Sequence, residues 1–93
     1  MEFYTIRVEK SAAKDLKKIQ QSGKKSDISK IERIFKELTR NPYEGEGSPE
    51  RLKYDLSGYW SRRINKKDRL IYKVNEDEVV VIIVSALGHY FDK

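Results

Sequence analysis

The chain has 93 residues, a net charge of +5 and no cysteine, which describes one small domain (residues 1–93) without disulfides or a thiolate nucleophile. A chain this short buries only about two thirds of the surface it exposes when unfolded, so its chemistry belongs in a shallow groove suited to a polymer rather than a small metabolite. With one histidine, His89, a zinc or iron site would need mostly carboxylates, which is weak ground, and the reading is of a protein with no metal and no cofactor.

Residues 3–8 are rich in β-branched and aromatic types and predict a first strand. Ala12, Ala13, Leu16 and Ile19 then recur at helical spacing, flanked by Lys10, Lys14, Lys17 and Lys18, and Gly23 fits a left-handed C-cap. Ile28, Ile31, Ile34, Phe35 and Leu38 form a second apolar stripe. Ser26 or Asp27 is placed to cap its start, and Asn41-Pro42 to stop it, because the residue before proline disfavours the α region. The two helices are expected to form an antiparallel hairpin.

Residues 43–50 form a loop with two glycines and a proline, after which the period changes to two. Leu52 and Tyr54 alternate with charged neighbours, and Leu56-Ser57-Gly58 makes a turn. Trp60, Arg62 and Ile64 alternate against Tyr59, Ser61 and Arg63, with Trp60 read as core. Beyond a turn at residues 65–68, Leu70, Tyr72 and Val74 alternate again. Asn75-Glu76-Asp77 turns into the apolar run 79–84, which fits a central strand buried on both sides. The order β-α-α-β-β-β-β predicts an α+β fold, in which an N-terminal strand and a two-helix hairpin pack on one face of an antiparallel β-sheet. The other face stays open and charged.

The charge is concentrated. Residues 51–73 hold eight basic side chains and two acidic ones, and the rest of the chain is nearly neutral. Such a segment points to a polyanion, either nucleic acid or an acidic protein, with a solvated surface as the plain alternative. Arg62, Arg63 and Arg69 could equally be charges that protect sheet edges, a reading that weighs most on Arg62, and Glu50 could simply pair with a neighbouring cation. No apolar run approaches the roughly 20 residues that span a membrane, and residues 1–10 lack the apolar stretch of a signal peptide. The expectation is a cytoplasmic protein with no membrane partner.

The segment from Asn41 to Lys53, with Pro42, Glu44-Gly45, Gly47 and Pro49-Glu50, resembles the signature loop of the YoeB/Txe toxin family. Leu56-Ser57-Gly58-Tyr59-Trp60-Ser61-Arg62-Arg63-Ile64, Asp68-Arg69-Leu70-Ile71-Tyr72 and Gly88-His89-Tyr90 continue it in order, so that the resemblance is specific over residues 41–90. It implies the RelE-like fold and an endoribonuclease that cuts messenger RNA in the ribosomal A site. It also implies a cognate YefM/Phd-type antitoxin, and homodimers as a possibility. Carried over by motif, Glu50 corresponds to the family's general base, Arg69 to its phosphate-binding arginine, His89 to its general acid and Tyr90 to the tyrosine that orients the substrate. Lys53 and Arg63 fall at positions of phosphate contacts. The sequence departs from the family in having Leu87-Gly88 before His89 and in continuing through Phe91-Asp92-Lys93.

These residue types match the chemistry. Metal-free RNA cleavage needs a base for the ribose 2′-OH, cations for the phosphate as its charge builds, and an acid for the leaving 5′-oxygen. Glu50, the arginines and His89 supply one of each, and histidine exchanges protons near neutrality. A carboxylate is a weak base, so slow cleavage of free RNA is expected, with positioning on the ribosome supplying much of the rate. Two other readings stay open: a non-catalytic toxin or antitoxin-binding module on the RelE/ParE fold with another target, and a general RNA-binding protein.

Overall fold

A computed structural model describes residues 3–87. Strand β1 (Thr5–Val8) leads into helices α1 (Lys10–Ser22) and α2 (Lys25–Arg40). Short β2 (Glu50–Arg51) and a 3-10 turn (Tyr54–Leu56) follow, then β3 (Tyr59–Arg63), β4 (Arg69–Asn75) and β5 (Val80–Ser85). The expected α+β architecture is present: two helices cover one face of a five-stranded sheet of order β1-β5-β4-β3-β2. Strands β2 to β5 form the antiparallel meander. The difference lies at β1, which joins β5 in parallel and makes the sheet mixed. Tight turns force β3, β4 and β5 to reverse, whereas β1 reaches β5 through no turn and is free to run alongside it.

The helices form where the apolar spacing places them. In α1 the buried stripe is Ala12 and Ile19 with Leu16 half-buried, while Ala13 falls outside it and is exposed. Gly23 closes α1 at φ +74, its N–H donating to the Gln20 carbonyl. Ile34 and Leu38 bury the centre of α2, with Ile28, Ile31 and Phe35 beside them. Neither Ser26 nor Asp27 caps α2, which begins a residue or two earlier, at Lys25. Asp27 instead accepts from Asn65 Nδ2 at 2.9 Å and ties the helix to the β3–β4 turn. Asn41 is extended at φ −150 and ends α2 ahead of Pro42, as expected.

Strand β5 lies between β1 and β4 and is buried on both faces over Val80–Ile83, which explains its unbroken apolar run. Val81 and Ile83 meet Leu70, Tyr72, Ile34 and Leu38 in the core. Leu52 and Tyr54 do not extend β2. The strand stops at Arg51, and Tyr54 enters the 3-10 turn in the left-handed region at φ +58, its side chain 89% exposed.

Glu76, in the β4–β5 turn, accepts hydrogen bonds from the hydroxyls of Tyr4 and Tyr43. The clasp joins the N-terminal segment to the loop after α2. Burial, and then the hydrogen bond to Glu76, hold the Tyr43 hydroxyl well above the ordinary tyrosine range, so it stays a donor. In the same turn Val79 sits at φ +56, where a β-branched residue is strained by about 1–2 kcal/mol. Val79→Gly is therefore expected to stabilise the fold by about 1 kcal/mol and raise the melting temperature by a few degrees, read by thermal circular dichroism. An unchanged or lowered melting temperature removes the strain argument.

Candidate active site

Glu50 owes its place to the loop that precedes it. The loop is clamped by Arg62, whose guanidinium is fully buried under it. Nη1 of Arg62 donates to Glu37 Oε1 at 2.7 Å and to the Glu46 carbonyl at 3.2 Å. Nη2 donates to the carbonyls of Glu44 at 2.8 Å and Asn41 at 3.3 Å, and Nε to the Tyr72 hydroxyl at 3.1 Å. That hydroxyl donates to the Pro42 carbonyl at 2.6 Å. The loop's last anchor is at Gly47, whose carbonyl accepts from the Arg63 N–H at 2.6 Å. A Cβ on Gly47 would lie 2.8 Å from the Arg63 carbonyl oxygen, so only glycine permits this approach.

Arg62 is thus not an edge-protecting charge. It is the central ion of a buried network, because it shares the helix-facing parity of Trp60 and Ile64. The sequence carried that signal: an arginine in phase with a tryptophan and an isoleucine has to find a buried partner, here Glu37 on α2. Trp60, read as core, is only half-buried and packs at the core's margin.

From Gly47 the chain passes Pro49 into β2, where Glu50 pairs with Ser61, and Ser61 with Ile71. This row lies on the sheet face turned away from the helices, since the alternate row, Arg51–Trp60–Tyr72–Ile83, enters the helix-side core. Arg63 and Arg69 pair with each other two residues further along the same face. The Arg69 guanidinium lies 3.7 Å from a Glu50 carboxylate oxygen, and the centre of this face is not open as the sequence suggested: Ser61 and Ile71, between and beside them in the register, are fully buried. Glu50 is 65% exposed and Arg69 25% exposed, so solvent screens the pair and separating it costs little. A phosphate arriving at Arg69 can take over the guanidinium and leave the carboxylate unpaired.

Of the six sequence-predicted residues, Glu50, Arg69 and Arg63 fall on this one face. Lys53 does not join them. It lies past the end of β2 and lines a groove with Arg51 and Trp60, residues of the helix-facing parity. His89 and Tyr90 lie outside the described residues. The chain is led toward them by contacts the sequence did not announce: Ser11 donates to the Val84 carbonyl at 2.8 Å, and Asp15 accepts from the Ala86 N–H at 3.0 Å. A β-bulge at Ile71/Tyr72 re-aims the end of β5 at the same level. Both side-chain anchors come from α1, where the lysines dominated the sequence pattern. Among the described residues no group of three or more His, Cys, Asp or Glu side chains is arranged to hold a metal ion.

Comparison with known proteins shows which family and fold this chain resembles. Residues 8–90 match the family described as the YoeB-like toxin of bacterial type II toxin–antitoxin systems. Toxin YoeB of Escherichia coli O6:H1 is 46% identical over 70 residues, covering 75% of this chain and 81% of the relative. The YoeB dimer from Staphylococcus aureus superposes with a TM-score of 0.79 at 40% identity, over 94% of this chain and 98% of that one. The same toxin in a heterotetrameric YoeB–YefM complex gives 0.78 over the same shares. A YoeB/ParE toxin from Agrobacterium tumefaciens gives a TM-score of 0.82 at 30% identity, covering 92% of this chain and 99% of that chain.

Proposed function

Because this chain belongs to the YoeB-like toxin family of type II toxin–antitoxin systems, we propose that it is a ribosome-dependent endoribonuclease that cuts messenger RNA in the A site by metal-free acid–base chemistry. Glu50 removes the proton from a ribose 2′-OH, and that oxygen attacks the adjacent phosphorus. Arg69 and Arg63 hold the non-bridging oxygens as charge builds on them. The bond to the 5′-oxygen breaks, and His89 donates the proton that the leaving oxygen takes. The products are a 2′,3′-cyclic phosphate and a 5′-hydroxyl end. Tyr90 orients the nucleotide being cut.

The observation that carries this reading is the meeting of the Glu50 carboxylate and the Arg69 guanidinium, 3.7 Å apart on the sheet face turned away from the helices, with Arg63 beside them. A domain that only binds has no need of a base held by a rigid loop against a phosphate-seeking cation. The proposed site of action is the cytoplasm. A YefM/Phd-type antitoxin is the proposed inhibitor, as the S. aureus relative was solved with YefM, and the same relative's dimer supports self-association. An acidic segment that folds onto the basic face would neutralise it.

The test is cleavage of a message on programmed ribosomes, with the ends mapped. New 5′-hydroxyl ends within the A-site codon are expected, with far slower cleavage of the same RNA free in solution. An intact message together with loss of another activity, such as that of gyrase, would overturn the proposal in favour of a non-catalytic toxin on this fold.

A further inference from the structure

On the other side of β2 from Glu50 lies a groove of about 970 Å³ that the active site does not use. It is lined by Tyr43, Trp60 and Tyr54 and by Arg51 and Lys53, with no carboxylate among the described residues that line it. The Tyr43 and Trp60 rings pack 5.1 Å apart, and the Arg51 guanidinium sits 5.7 Å from the centre of the Trp60 ring. Tyr54 stands out at the rim, the most exposed aromatic side chain among the described residues. Its left-handed backbone is held by hydrogen bonds from the Leu56 N–H to the Lys53 carbonyl and from the Ser57 N–H to the Tyr54 carbonyl. Burying little of that side chain, the fold gains little from keeping a bulky residue at a φ that disfavours it. Aromatic faces set among cations are what single-stranded nucleic acid recognises, with bases stacking and phosphates meeting the charges.

We propose that this groove is a nucleobase-stacking subsite for the RNA next to the link that is cut, with Tyr54 as the stacking platform and Lys53 and Arg51 as its phosphate contacts. The proposal rests on the nuclease reading only for where the RNA comes from. Glu50 and Arg51 are neighbours on a two-residue edge strand and point to opposite faces. A strand of RNA crossing that edge therefore passes from Arg69 to the groove without leaving the protein. It also gives Lys53, which stands apart from the Glu50 face, a place in RNA binding.

Trp60 is the chain's only tryptophan, so its fluorescence reports the groove directly. The probe is a six-nucleotide RNA with 2′-O-methyl riboses, which cannot be cleaved, added to the full chain. Saturable quenching of Trp60 is expected, with Tyr54→Ala weakening affinity about ten-fold or more and Tyr54→Phe restoring it. Tyr54 is exposed, so an unchanged melting temperature shows that the variants remain folded. Binding seen by fluorescence polarisation without quenching overturns the proposal, as does equal affinity in Tyr54→Ala. Quenching by an acidic peptide or by self-association, with none from RNA, also overturns it and hands the groove to a protein partner. If messages stay intact on ribosomes while RNA still quenches Trp60, the nuclease reading fails and the subsite stands. If cleavage proceeds and the quenching is absent, the subsite fails alone.

Discussion

Replacing Arg62 by methionine is expected to cost about 3–5 kcal/mol of stability and to lower the melting temperature by more than about 10 °C. Methionine fills much of the same space, so the loss is electrostatic rather than a cavity. Removal of the guanidinium strips Glu37 of its buried partner and leaves the carbonyls of Asn41, Glu44 and Glu46 without a donor they now share. For a domain of this size, whose whole stability is of the order of 5–15 kcal/mol, that is a large fraction. Arg62→Lys should fall between the two, because a point charge on a flexible stem cannot reach Glu37 and three carbonyls at once. The clamp also sets the path of the chain into Glu50. The lysine variant should therefore lose cleavage at temperatures where circular dichroism shows it folded. Thermal unfolding of both variants, with cleavage measured well below the transition, decides the matter. A methionine variant that melts within about 2 °C of the parent would show that the network contributes little.

Glu50→Gln and Arg69→Ala should have the opposite profile, with near-normal stability and little activity. Glu50 is mostly exposed and the pair is screened there, so Glu50→Gln should alter stability by less than about 1 kcal/mol; Arg69 is only 25% exposed, so Arg69→Ala should cost somewhat more through the lost packing of its stem. Loss of a general base costs typically 10²–10⁴ in rate, and loss of a donor to a developing oxyanion about 10²–10³. Arg69→Lys should recover only part of the rate, since the forked geometry is lost. The double variant should be little worse than the poorer single one, because groups acting on one transition state are not additive. His89→Ala is expected to behave like Glu50→Gln. Rates on programmed ribosomes, with growth arrest on expression as a second readout, test all of these. Three folded variants as active and as toxic as the parent would remove Glu50, Arg69 and His89 from the chemistry.

The chain's local signals were strong enough to read directly. Asn41-Pro42 ends α2, Gly23 closes α1, and the apolar run after Asn75 is the strand buried on both sides. Each depends on short-range physics: the φ limits of proline and glycine, or the side-chain period of one element. The family motif likewise pointed to Glu50, Arg63 and Arg69, although it is the pairing of β2, β3 and β4 that sets them on one face. Tertiary structure decided what depends on partners far along the chain. Arg62 and Lys53 both read as basic residues of one charged segment. One is fully buried against Glu37, 25 residues away, and the other lies on the far side of an edge strand from Glu50. The parallel entry of β1 and the hold of Ser11 and Asp15 on the end of β5 belong to the same class. No period or cap encodes such contacts, because their free energy exists only once distant segments have packed together. The sequence alone therefore settled which elements form and which residue types are available, and packing settled which of the cations face the site.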